Sequence, residues 1–502
     1  MKNIVIIGGG IAGLSAGIFA QKNGFNSTIV EKHHTLGGEC TGWDRQGYHI
    51  DGCIHWLVGT KKGTQIHDLW TTVGALDGVE IYHPESFIAV EHEGVIINFY
   101  RDLDRLKSSW LEISPEDKEV IEEFCNDIKK LHSFSIPSGK PMDMMNLFEK
   151  IKSVFSMMNV GPIMQKYGKI SVKELSRKFK HPALREAIDS FMPEGDYSAM
   201  SIIFPLGTFT SGQSSIPKGG SKALAKRMVD RYLSLGGTIE ASCEIVEVDI
   251  KGDVVKGIKS KDGKRYEADY FIAACDAKVL YKNLLKGCYP DQEFEKRYNN
   301  PGMYPLASNI YIGIGYKGDM NDIPRTLKFP VERVDINQNQ KPIKHLQMTH
   351  YGYEPDFAPN GHTVITVAIN QFKPELDAWE LLVNDKEAYT KEKTRIGKAV
   401  IDAMESRFPH MKGKLRLLDV VTPQTYVRYC NAYRGAFMGF WPTISGKALT
   451  HTGHIKGLNN MLLSGQWLQP PGGLPVAVIT GKDTIMRICK KENSRPHVLC
   501  YH

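Results

Sequence analysis

The residues best suited to chemistry stand at the start of the chain. Gly8, Gly10 and Gly13 are spaced as G-x-G-x-x-G, with Ile11 and Ala12 between them, directly after the apolar run Ile4-Val5-Ile6-Ile7. Glycines so placed let a turn close, let the backbone approach a pyrophosphate and let a helix pack on a strand. The helix after the turn presents unpaired N–H donors to the phosphates. Glu31, followed by Lys32, ends the next apolar run 18 residues beyond Gly13, where an acid takes the ribose hydroxyls of an adenosine. These residues predict an adenine dinucleotide site. Gly37-Gly38-Glu39 offers a second close approach of backbone to that ligand.

The turn alone does not separate NAD from FAD, since both carry adenosine diphosphate. Near the other end, Met461-Leu462-Leu463 leads to Gly465-Gln466, then to Gly473-Leu474-Pro475 and an apolar-periodic stretch over 476–488. A helix N-terminus there stabilises negative charge on a reduced flavin ring. Val246, in the strand-like stretch 244–248, completes the expected cofactor set.

Taken in order, these motifs, with Pro217-Lys218-Gly219-Gly220 and Ala268-Asp269, resemble the FAD-containing phytoene desaturase superfamily over nearly the whole length. Within it the chain is most similar to retinol saturases and carotenoid isomerases. The likeness rests on residues 47–56, with Asp51, Gly52, His55 and Trp56, on Arg434-Gly435-Ala436-Phe437-Met438-Gly439, and on Gly465-Gln466 where plain desaturases have Gly-Asp. Trp467 and Cys53 depart from the pattern. The resemblance implies FAD and an oxidoreductase of the CH–CH type. Its substrate is a long hydrophobic polyene, isoprenoid or fatty-acyl molecule, with saturation or isomerisation favoured over desaturation. Two other readings stay open: a flavin amine oxidase on the same fold, and a non-catalytic flavin-binding redox or assembly protein.

Saturating a C=C bond requires a hydride and a proton. His55 is the first proton donor to consider, since imidazole titrates near neutrality; a structural bond to a backbone carbonyl is its alternative. Tyr48, Tyr433 and Tyr429 are weaker acids. Arg434 either orients a substrate head group or closes an internal salt bridge. Cys53 and His55 are also the residues by which a flavin would be covalently attached, a reading nothing in the resemblance supports.

The elements that must position these groups predict an α/β protein. A discontinuous Rossmann-like FAD-binding domain of the glutathione reductase type is expected over 1–75, 205–290 and 420–495. An α+β substrate domain with a helical cap occupies 76–204 and 291–419. A helix is expected over 223–235, a hairpin turn at Lys261-Asp262-Gly263-Lys264, and a largely helical insertion over 76–200 that begins a helix at Ser114-Pro115. Glu354-Pro355-Asp356 reads as a structural turn.

Gly313, Gly315 and Gly318 repeat the G-x-G-x-x-G spacing, but no helical period comes after them and acids stand next. Ile310, Ile312 and Ile314 alternate as in a strand, with glycines where a ligand or backbone approaches, so a second dinucleotide domain is not expected. The flavin's electron partner is then a diffusible donor, another protein or the substrate.

Met144, Phe148, Ile151, Phe155 and Met158 form an apolar stripe, read either as a helix packed on its own domain or as a greasy ligand face. Lys166, Lys169, Lys173, Arg177, Lys178, Lys180 and Arg185 come next with Glu174 as the nearby acid, read as a solvated face or an anionic-membrane patch.

With 502 residues, 42% hydrophobic, the chain can bury a large core. Nine cysteines without a C-x-x-C pair argue against a disulfide framework and structural zinc, and point to a reducing, cytoplasmic compartment. No uncharged run approaches the roughly 20 residues of a spanning helix. The net charge of +7 permits contact with anionic surfaces. No metal cluster, nucleophile elbow or nucleic-acid module is expected.

Overall fold

A computed structural model describes residues 1–156, 158, 160–192, 195–336, 342–494 and 496. The run that opens the chain forms the strand Asn3–Ile7, buried after its first residue, at the centre of a five-stranded sheet. Thr238–Glu240 and Asn26–Val30 lie on one side of it, Tyr270–Ala273 and Met461–Leu463 on the other, all parallel. Strands covered on both faces read as unbroken apolar runs, as Ile4-Val5-Ile6-Ile7 and Tyr270-Phe271-Ile272-Ala273 do. Each fully buried Ile or Phe contributes roughly 1.5–3 kcal/mol.

The helix Ile11–Lys22 crosses back over this sheet and lies against the helix Gly473–Lys491. The two backbones meet closely, because a Cβ on Gly481 would come within 2.4 Å of Ala12 O. The helix Gly220–Ser234 stops before Gly236-Gly237, and Gly263 (φ 92°) turns between the strands Val254–Ser260 and Arg265–Tyr266.

A seven-stranded mixed sheet forms a second layer, in the order Leu415–Val421, Ser308–Tyr316, Thr363–Gln371, Ile343–His350, Thr326–Val334, Ser86–His92, Val95–Tyr100. The insertion expected to be largely helical over 76–200 is so from Leu103 onward. Residues 86–100 form a hairpin whose first strand joins the sheet parallel to Thr326–Val334, and the helices begin at Leu103. The short apolar run Phe87-Ile88-Ala89-Val90 is consistent with a buried strand.

Gly313 and Gly315 lie inside the strand Ser308–Tyr316. A Cβ on Gly313 would strike Ile50 at 2.5 Å and one on Gly315 the Tyr48 ring at 2.6 Å. The ligand or backbone expected to approach these glycines is replaced by the protein's own side chains, which fill the space.

The helices Leu103–Ile113, Lys118–Lys130, Gly161–Gly168, Val172–Ser176, Pro182–Asp189 and Met200–Thr210 enclose Trp110, Phe124 and Phe179. The apolar stripe does not pack on this core. Phe148, Phe155 and Met158 are 74%, 65% and 60% exposed, with Leu147 and Ile151 beside them, on and just past the helix Leu147–Ser156. The basic residues after it spread over three short helices rather than one face, and Lys166 pairs with Glu123 and Asp127 rather than facing Glu174 alone.

Candidate functional site

The nucleotide cradle is built at the carboxyl ends of the parallel strands. Gly8 (φ 106°) and Gly13 are demanded by the chain itself, since a Cβ would come within 2.5 Å of Ala274 O at Gly8 and 2.0 Å of Gly8 O at Gly13. Gly10 differs. Its backbone (φ −72°, ψ −177°) suits any residue, and a Cβ there would meet nothing nearer than Gly38 Cα at 3.9 Å. The protein leaves this side of Gly10 open, which fits the close approach of a phosphate.

Gly37 N donates to Gly9 O at 2.9 Å and bridges Gly10, so the second glycine pair lines the same turn. Gly10 caps the helix that carries Ile11 and Ala12 with no side-chain bond and no acid in its first turn. The helix that opens with Gly473, Leu474 and Pro475 likewise has no acid in its first turn. Two positive helix ends thus stand without an acidic side chain of the protein.

Glu31 is held by Gly9 N (2.6 Å) and His33 N (2.7 Å). Lys32 donates to Asn431 at 2.8 Å and faces Glu244. Val246 projects outward, 44% exposed. Gly465 adopts a glycine conformation (φ 142°) with open space where a side chain would lie.

Gln466 links both halves of the chain: its Oε1 accepts from Gly473 N at 3.1 Å and its Nε2 points at Glu39 Oε2, 3.4 Å away. Burial, reinforced by the charge of Asp276, pushes the Glu39 carboxyl up to about 8, so it holds a proton at neutral pH. Asp276 is pushed up to about 6 by burial, although it accepts from Lys278 N (2.7 Å) and Tyr433 N (3.0 Å). Asp276 escaped the sequence reading. Its signal is its place just past the strand Tyr270–Ala273, where parallel sheets gather ligand-binding groups. Trp467 is buried against Tyr298 and Phe440 and closes one wall.

The expected catalytic residues are not gathered in one place. His55 lies on the segment after the strand Tyr48–Asp51, its ring 6.2 Å from Tyr311. Burial, then the Arg325 charge, lowers it to about 4. The neutral-range titration expected of it is corrected: the ring is uncharged at pH 7. Cys53, half-buried and in contact with Cys40, is pushed well above the usual thiol value by that contact and by desolvation, and stays a protonated, weak nucleophile.

Tyr48 is buried between Gly315 and His362, in the core rather than at an open site. Tyr433 sets its ring edge against Tyr298 on the wall of a cavity of ≈490 Å³. Arg434, beside it, is spent on Asp377 and on Glu380 (2.8 Å), so the internal salt bridge, not a substrate head group, occupies it. Asp51, from the same motif as His55, is structural: it accepts from Ser221 N (2.6 Å), Ser221 Oγ and Cys53 N (3.1 Å) and ties residues 51–54 to the helix Gly220–Ser234.

Sequence reasoning also missed Arg325, whose Nη2 donates to His55 O at 3.3 Å. Around it stand Tyr82, stacked on Tyr353 (4.1 Å), and, next to His55, Trp56 with its ring tilted against Phe87 (4.7 Å).

This fold and cradle define a dinucleotide-binding oxidoreductase, and comparison with known proteins narrows the class. The profile of the NAD(P)-binding Rossmann-like domain family matches residues 6–73. The chain is 21% identical to the 4,4'-diaponeurosporene oxygenase of Staphylococcus haemolyticus, over 97% of both chains. It is 21% identical to the lycopene-forming phytoene desaturase of Pseudescherichia vulneris (96% and 98%) and 23% identical to prolycopene isomerase 2 of an Oncidium hybrid cultivar (86% and 74%). A redesigned putrescine oxidase shares the fold at TM-score 0.61 and 14% identity, over 98% and 99%. The chain is a homologue of these carotenoid desaturases, oxygenases and isomerases, the FAD-dependent phytoene desaturase superfamily. The open Gly10 turn and two helix starts without an acid in their first turn fit FAD.

Proposed function

We propose that this protein is an FAD-dependent oxidoreductase acting on C=C bonds of a long apolar molecule, with saturation or isomerisation favoured over desaturation. The likeness to polyene-modifying enzymes along the whole chain carries the C=C chemistry and the apolar substrate, and Gly465-Gln466 supports the preference for saturation or isomerisation. FAD supplies a ring that gives or takes a hydride. The chain supplies an aromatic wall of Trp56, Phe87, Phe191 and Phe209 beside His55, and a carboxyl at Glu39 that holds a proton at neutral pH. A saturase needs such a proton; a desaturase does not. Reducing equivalents come from a diffusible donor, another protein or the substrate.

Anaerobic reduction of the holoenzyme, followed by mixing with polyenes, retinoids and unsaturated fatty acids, tests the reading. Flavin reoxidation with a product two hydrogens heavier is expected for a saturase. An isomerised product over persistently reduced flavin marks an isomerase. Failure of both, with oxidised flavin converting a polyene to a more unsaturated product, defeats the proposal. The putrescine oxidase fold keeps an amine oxidase in view, but Arg325 beside His55 repels an ammonium.

Peripheral contact with a lipid surface belongs to the same proposal. No helix among the described residues is long and apolar enough to cross a membrane. The helix Leu147–Ser156 exposes Leu147, Phe148, Ile151 and Phe155 together with Lys150 and Lys152, the composition of a helix lying in a membrane interface. Phe148→Ser with Phe155→Ser lowers sedimentation with anionic vesicles at least about tenfold, given roughly 0.8 kcal/mol per buried CH₂; unchanged sedimentation removes the contact.

A further inference from the structure

Arg325 stands one residue before the strand Thr326–Val334, its carbonyl accepting from His350 N at 2.9 Å. Its side chain reaches the His55 segment through Nη2 alone. Nε and Nη1 are buried and have no acceptor among the described residues, and no carboxylate there pairs with the guanidinium. Its charge is felt by five groups from four separate stretches: His55, Tyr82, Arg101, and His350 with Tyr353.

The nearby cation Arg101 shows the contrast. Its guanidinium is used up on Pro84 O and Phe209 O (2.9 Å each) and Ser214 O (3.1 Å), with the Phe209 ring beneath it. Arg434, the other arginine close to the expected site, has two acids. A guanidinium does not deprotonate in a protein, and a buried one without a counter-charge is strongly unfavourable. The groups that feel Arg325 are hydroxyls, imidazoles and Arg101, and no carboxylate among the described residues bonds to it. Its planar fork matches a carboxylate. A diphosphate would need further free cations, and Arg101 is already bound to carbonyls.

We infer that Arg325 receives the carboxylate of an amphiphilic unsaturated acid, whose apolar tail runs along Trp56 and Phe87. This rests on the reading of the site as one for long unsaturated molecules, and it narrows that class to acids.

The test uses the FAD-loaded enzyme and two probes with one polyene tail, all-trans-retinoic acid and all-trans-retinol. Binding is followed by the perturbed flavin spectrum and turnover is scored separately. The wild-type enzyme is expected to bind the acid at least about 30-fold tighter than the alcohol, the discrimination of one charge-assisted bidentate contact. Arg325→Gln is expected to abolish that preference while leaving the alcohol's affinity within twofold, which shows that the variant is folded. Arg325→Lys, keeping the charge without the fork, is expected to restore part of it.

Equal binding of acid and alcohol by the wild-type enzyme overturns the inference, as does an Arg325→Gln variant that keeps the preference. If neither probe nor a matched pair of oleic acid and oleyl alcohol binds, the inference falls with the reading of the site. A preference for the acid without any flavin turnover upholds the anchor while the redox proposal alone fails.

Discussion

The string G-x-G-x-x-G stands twice in this chain, at residues 8–13 and 313–318, and the two regions use it in opposite ways. At the parallel sheet, Gly8 and Gly13 fold the turn onto itself and Gly10 faces open space before an uncapped helix. In the seven-stranded sheet, Gly313, Gly315 and Gly318 are filled by Ile50, Tyr48 and Tyr316. The first set leaves room for a ligand; the second makes room for the protein's own core. Spacing alone does not distinguish them. The secondary structure around each does: a helix begins after Gly10, whereas a strand runs through Gly313.

The largest effect that sharpens this contrast is expected at the first turn. Gly13→Val places atoms on Gly8 O, so it costs about 3–5 kcal/mol and yields protein without flavin, read by thermal unfolding and absorbance at purification. Gly10→Val, by contrast, leaves the apoprotein's stability within about 1 kcal/mol yet abolishes flavin retention, because only the ligand needs that space. A destabilised Gly10→Val apoprotein would break the comparison.

Next comes the buried acid. Glu39 titrates near 8 in the folded protein against 4.5 as the ordinary value, so the fold binds the extra proton between those pH values. Stability contributed against that carboxyl therefore falls as pH rises through this window, and the penalty is complete above pH 8. Glu39→Gln is expected to gain on the order of a few kcal/mol near pH 9 and nothing near pH 4, measured by urea unfolding of the apoprotein.

Arg434→Ala removes a half-buried pair with Asp377 and Glu380 and costs about 1–2 kcal/mol, with KM unchanged in steady-state assays. A raised KM would return Arg434 to substrate binding. The smallest effect is Tyr48→Phe. The ring fills the hollow over Gly315, so loss of the hydroxyl changes stability within about 0.5 kcal/mol and leaves kcat as it was.

The nucleotide region was legible because its determinants are local. A strand, three glycines, a helix and an acid succeed one another within 31 residues, and the peptide geometry of such a run admits few structures. The same holds for the hairpin at Gly263 and for the last helix after Gly472. The hairpin over 86–100 owes its place in the sheet to a pairing of its first strand with Thr326–Val334, more than 200 residues away, which no local pattern announces.

By itself the sequence determined the dinucleotide turn, the two ends of the chain that meet around it and the superfamily those motifs mark. Tertiary structure alone decided the electrostatics. Which arginine is neutralised, which imidazole is kept uncharged and which carboxyl keeps its proton depend on what surrounds each group. Those surroundings are assembled from segments far apart in the chain: Arg434 meets Asp377 and Glu380, Glu39 meets Gln466 and Asp276, and Arg325 meets His55 and Tyr82 with no acid among the described residues. Burial and charge act through space, whereas a motif records only order along the backbone.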